Sequence, residues 1–81
     1  MSYFIYILEC ADDTLYTGIA TDLNRRLTEH NSSEKGAKYT RSRRPVRLVY
    51  SETFPDRSSA SRREYEIKKL SRAKKLQLIR G

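Results

Sequence analysis

Residues 3–9, YFIYILE, run unbroken through apolar and aromatic side chains with neither Gly nor Pro. The stretch is too short for a helix, and its β-branched and aromatic content is that of a strand. Apolar residues fall on both parities, so the strand must be covered on both faces. A chain of 81 residues has room for one core, and the whole of 1–81 is expected to fold around this strand as a single domain. Hydrophobic residues make up only 37% of it. The core must therefore be thin and its stability modest.

Local signals place the neighbours of that strand. Asp12-Asp13 marks a turn and Leu15 to Ala20, LYTGIA, reads as a second strand, giving an antiparallel hairpin. Thr21 and Asp22 are both N-cap residues for a short amphipathic helix over 22–30, in which Leu23, Leu27 and His30 recur at helical spacing. Residues 31–36 are expected as loop and 37–42 as a brief helical turn. Pro45 opens a third strand over Val46 to Phe54, which Pro55-Asp56 ends. From Ser58 onward the chain reads as one helix with Ile67, Leu70, Leu76 and Ile79 apolar, started at Ser58 or by a capping box of Ser61 and Glu64. The order β-β-α-β-α predicts an α+β domain: a small three-stranded antiparallel sheet flanked by helices.

Charge narrows the function classes. Seventeen Lys and Arg against ten Asp and Glu give a formal charge of +7, and all seventeen cations lie after residue 20. The densest stretch is Lys35 to Arg47, KGAKYTRSRRPVR, with no acid in it. Such a run is either a solvated surface or a contact for a phosphate backbone. In the second case Lys38, Arg41, Arg43 and Arg44 supply the charge and Tyr39 is placed to stack on a base. These contacts hold a nucleic acid without reading its sequence. One cysteine, Cys10, and a single histidine exclude an intrachain disulfide and a structural zinc site. No apolar run approaches the ~18–20 residues of a membrane span. The start, MSYFIYILEC, lacks the basic segment and cleavage site of a signal peptide. The expectation is a soluble, cytoplasmic protein, monomer or homodimer, with a negatively charged partner and no membrane.

Three polar placements stand out. On the last helix Glu64 falls about 40° from Ala60, at the edge of the stripe that carries Ile67. A carboxylate there is partly desolvated and needs a cation or a metal, unless a pair with Lys68 four residues on accounts for it. On the first helix Arg26 and His30 are i,i+4 neighbours beside the Leu23–Leu27 stripe. An Asp22–Arg26 pair and a histidine satisfied at the core margin would be the bland explanations. Tyr6 and Tyr16 sit on adjacent strands. A two-residue turn would pair Tyr6 with Ile19 and send Tyr16 to the other face, whereas one residue more or less puts both hydroxyls on one side.

FIY at 4–6, YTG at 16–18, TDLNRRLTEH at 21–30 and a helical Glu64 together resemble the GIY-YIG nuclease family over nearly the whole chain. The spacing Gly18, Arg26, His30 is the most specific part of the likeness, and small free-standing bacterial members are the nearest in kind. The resemblance implies a phosphodiesterase site using one divalent ion, Mg²⁺ or Mn²⁺, and a nucleic-acid substrate, DNA ahead of RNA. By position Tyr6 matches the general base and Tyr16 the tyrosine that helps place water or phosphate. Arg26 matches the arginine on the scissile phosphate, His30 the histidine that supports the base, and Glu64 the metal-binding carboxylate. Gly18 matches the glycine that keeps the sheet surface open. Phe4 and Thr17 replace a motif glycine and isoleucine, at positions that supply no reacting group, and Ile19 stands where some members have a lysine. A non-catalytic nucleic-acid-binding module of the same fold is the alternative. Against it, a binder has no need of Glu64, whose charge repels phosphate.

Overall fold

YFIYILE is the middle strand of the sheet. The computed structural model describes residues 2–32 and 35–81. In it β1 (Tyr3–Glu9) pairs antiparallel with β2 (Leu15–Ala20) on one side and with β3 (Arg47–Phe54) on the other, in the order β2-β1-β3. Helices α1 (Leu23–Ser32) and α2 (Lys38–Arg41) precede β3, and α3 (Arg57–Lys68) and α4 (Arg72–Arg80) follow it. The continuous apolar run has the two covered faces it requires. Ile5 and Ile7 are fully buried with Ala60 and Ile67 of α3, with Leu78 and Ile79 of α4 packed beside them. Tyr6 and Leu8 face the other way, against Cys10, Val46 and the half-buried Leu23 and Leu27 of α1. Each of these large side chains contributes roughly 1.5–3 kcal/mol by leaving water.

The hairpin decides what the sheet presents. Its loop is three residues long, 11–13, closed by Cys10 N–H to the Thr14 carbonyl at 2.9 Å. Asp13 takes the left-handed conformation (φ 66°) that ends such a loop. Tyr6 therefore lies opposite Gly18, and Leu8 opposite Tyr16. The two-residue turn would have set Tyr6 against Ile19. The odd-numbered loop brings both tyrosines to one face, the face covered by α1.

Local detail departs from the sequence reading in three places. Helix α1 runs on through Asn31 and Ser32, where a loop was expected; Ser33 and Glu34 lie outside the described residues. The first turn of α3 is capped by Asp56, whose carboxylate accepts from Ser59 N–H at 2.7 Å, so neither Ser58 nor Ser61 starts the helix. The C-terminal segment is two helices and not one. Ser71, with extended backbone, accepts from Lys74 N–H and caps α4 after α3 has closed at Lys69. Arg63 forks onto Glu52 of β3 with bonds of 2.9 and 3.0 Å, and Tyr50 also bonds Glu52. That clamp fixes α3 against the sheet. No helix among the described residues is long and apolar enough to cross a membrane.

Candidate active site

Tyr6 is 2% exposed and its ring lies across Gly18 of the edge strand β2. A Cβ at Gly18 would sit 2.5 Å from the Tyr6 Cζ and collide with the hydroxyl as well, so only glycine leaves room for the ring. The Tyr6 hydroxyl is 2.8 Å from His30 Nε2. His30, on the inner side of α1, is fully buried and bonded at both nitrogens. Its Nδ1 lies 2.9 Å from the hydroxyl of Thr40, also fully buried, and that hydroxyl donates to the Ala37 carbonyl at 2.9 Å.

This chain favours one tautomer. Thr40 has one proton and gives it to Ala37, so its lone pairs face His30 and Nδ1 carries the imidazole proton. Nε2 is left to accept from the Tyr6 hydroxyl. The Ala37 N–H also points at Nδ1, over a longer 3.4 Å, and competes with this arrangement.

Electrostatics follow from burial. Desolvation pushes the Tyr6 phenol up to about 12; Arg26 pulls against this, while the charge of Glu64 adds to it. Burial brings His30 down to about 4, and the Arg26 charge pushes the same way. At neutral pH the pair is thus an un-ionised phenol donating to a neutral imidazole. Arg26 is half-buried. Its Nη1 bonds Glu29 at 3.0 Å and the Lys35 carbonyl at 2.7 Å, so the acid that orients it is Glu29 and not Asp22. Asp22 instead caps α1 through Arg25 N–H. Arg26 lines a hollow of about 140 Å³ with Ile19, Thr21 and Asp22. Arg25, 75% exposed, borders it from the solvent side.

Tyr16 stands 6.4 Å from Tyr6 and 5.3 Å from His30, ring centre to ring centre, and stacks on Tyr39 at 5.7 Å. The Arg43 guanidinium lies 4.0 Å over the Tyr39 ring and pairs with Asp12 at 3.0 Å. Arg44 donates to the His30 carbonyl at 2.6 Å and so ties down the end of α1. Lys38 and Arg41 lie exposed on α2. Tyr39, Arg43 and Arg44, expected at a base and at phosphates, thus also make contacts within the protein. Glu64 is 22% exposed and pairs with Lys68 at 3.5 Å, as its i,i+4 spacing allows, while its charge acts on Tyr6.

One carboxylate is a specific donor set. Among the described residues no three His, Cys, Asp or Glu are grouped as a zinc or calcium cage requires. A single half-buried carboxylate suits an ion that keeps its waters and shares the substrate's phosphate, as Mg²⁺ and Mn²⁺ do. Two participants escaped the sequence reading. Thr40 lies in a run of cations whose spacing marks nothing, and Glu29 reads as one more charge on an exposed helix face.

The model of the GIY-YIG catalytic domain matches residues 2–77. The chain belongs to the GIY-YIG nuclease family. A UPF0213 protein of Desulfotalea psychrophila is 65% identical over 99% of this chain and 73% of its own length. Another, from Natronomonas pharaonis, is 56% identical over 95% of this chain and 89% of its own. Among solved structures, the UPF0213 protein of Bacillus halodurans superposes with a TM-score of 0.62 at 54% identity, covering 98% of this chain and 83% of that one. A protein of E. faecalis gives 0.67 at 46% identity, covering 99% and 84%. The three-stranded antiparallel sheet with flanking helices is thus the fold of solved relatives. Members of the GIY-YIG family generally use divalent metal ions and act on nucleic acid.

Proposed function

We propose that this GIY-YIG chain is a metal-dependent endonuclease that hydrolyses phosphodiester bonds of DNA, with RNA as the second substrate class. The observation that carries the reading is the buried chain Tyr6–His30–Thr40 next to the Arg26 guanidinium. Arg26 holds the scissile phosphate by charge-assisted hydrogen bonds. Tyr16 helps place the attacking water, and Tyr6 takes its proton. With a pKa near 12 the phenol cannot act as a standing phenolate. It accepts the water proton at its oxygen as its own proton passes to His30 Nε2. The water oxygen bonds to phosphorus, the bond to the leaving oxygen breaks, and that oxygen is protonated from solvent. Burial and the nearby Arg26 charge both disfavour protonating His30. A phosphate on Arg26 offsets that charge and raises the imidazole pKa when the proton has to be received. Glu64 would hold the divalent ion, which when bound stabilises charge developing on the phosphate. Lys38 and Arg41 extend the contact to neighbouring phosphates from α2.

The test is purified protein with Mg²⁺ or Mn²⁺ on single-stranded, duplex and branched DNA, beside Tyr6→Phe, Arg26→Ala and Glu64→Gln. Each variant is expected to lose at least about 10²-fold in rate. Equal cleavage by all four proteins would remove the assignment. Binding by the wild type with no cleavage of any substrate would leave the non-catalytic module of the same fold.

A further inference from the structure

Residues 57–81 hold nine of the seventeen Lys and Arg against two acids, Glu64 and Glu66. Among the described residues Arg57, Arg72, Lys74 and Arg80 are exposed and enter no ion pair. The 35–47 stretch differs, because Arg43 and Arg44 there bind the protein itself. The exposed aromatic follows the same division. Tyr39 is 38% exposed with Tyr16 stacked on it and Arg43 over its ring, whereas Tyr65 on α3 is 65% exposed. The Lys69 ammonium lies 4.9 Å from the Tyr65 ring centre. The ring thus carries a cation and stays largely exposed to solvent.

Tyr65 follows Glu64 directly. At about 100° per residue it lies beside the carboxylate on the solvent side of α3, with Lys68 and Lys69 one turn further on and Arg72 opening α4. A water-exposed ring flanked by cations, next to a carboxylate of the candidate site, fits a strand whose bases are free to stack. A duplex offers no such face, because its bases already cover one another. We propose that this face of α3 is a stacking platform for unpaired nucleotides beside Glu64. Tyr65 takes a base, and Lys69 and Arg72 take the adjoining phosphates. The inference rests on the reading of the site as one that binds a phosphodiester, and it names the substrate class: single strands and unpaired ends ahead of continuous duplex.

The test measures binding, with EDTA present, so that a protein unable to cleave still gives an answer. Labelled single-stranded and duplex oligonucleotides of equal length are titrated by fluorescence anisotropy. Tyr65→Ala is expected to weaken single-strand binding about tenfold, with Tyr65→Phe restoring most of it and duplex binding nearly unchanged. Lys69→Ala and Arg72→Ala are each expected to flatten the slope of log K against log salt by about 0.7. Melting curves confirm that the variants are folded. Wild-type affinity in Tyr65→Ala, or an equal loss on duplex and single strand, would overturn the platform and leave this face to an acidic protein partner. Tyr65-dependent binding without cleavage would count against the catalytic reading alone.

Discussion

At the residue scale the site is a problem of where one proton sits. His30 is fully buried and its pKa is depressed to about 4 from 6.5. A base whose folded pKa lies below its unfolded one binds fewer protons when folded, so its contribution is fully present above pH 6.5. It is lost as pH falls toward 4. The shift corresponds to about 3 kcal/mol, which urea melts between pH 4 and 7 should recover as the difference between wild type and His30→Gln. Thr40 is the other half of the arrangement. Thr40→Val leaves the buried Nδ1 proton without an acceptor, at an expected cost of about 1–3 kcal/mol. It should also move the imidazole nitrogen signals in ¹⁵N spectra toward a mixture of tautomers, and Thr40→Ser should restore both. Tyr6, Tyr16, Arg26, His30 and Glu64 could be picked out as candidates because motif spacing carries them. Thr40 was not, since its role depends on a contact with Ala37 and His30 that no periodicity encodes. The direction of the Tyr6 shift was also out of reach, because a phenol's burial is known only once the sheet is covered.

At the element scale, legibility follows how local each cause is. Strands β1, β2 and β3 could be read from composition, because an apolar β-branched run has few alternatives in so short a chain. The register of the hairpin could not, since it turns on whether Asp13 accepts a left-handed conformation, and that single residue decides whether Tyr6 and Tyr16 share a face. The break between α3 and α4 was hidden for a similar reason. Apolar residues continue past it, and only the extended backbone of Ser71 separates two helices from one. Ser71→Ala removes the hydroxyl that accepts from Lys74 N–H and should cost about 1 kcal/mol, with Ser71→Asp neutral or better. Because Leu78 and Ile79 bring α4 onto the Ile5–Ile67 core, the loss should appear as earlier hydrogen exchange in α4 and a lower melting midpoint together. Exchange that loosens in α4 with no change in the midpoint would mean the helix adds nothing to the core.

At the scale of the whole molecule a thin core carries a net charge of +7. Like charges held on one small surface repel, so the protein alone should melt higher as salt screens that repulsion. A bound oligonucleotide acts through the same charges with the opposite salt dependence. At one hundred times its Kd it adds about 2.7 kcal/mol to stability. For a domain of this size that corresponds to roughly 10–20 °C in melting midpoint. Because the affinity comes mainly from phosphate neutralisation, the gain should shrink steeply between 50 and 500 mM salt, while the unliganded midpoint rises. The two curves should therefore converge, and where they meet measures how much of the nucleic-acid interaction is charge. An oligonucleotide shift that survives high salt would place the binding energy in stacking instead, and would require more aromatic surface than Tyr65 and the half-shielded Tyr39 provide.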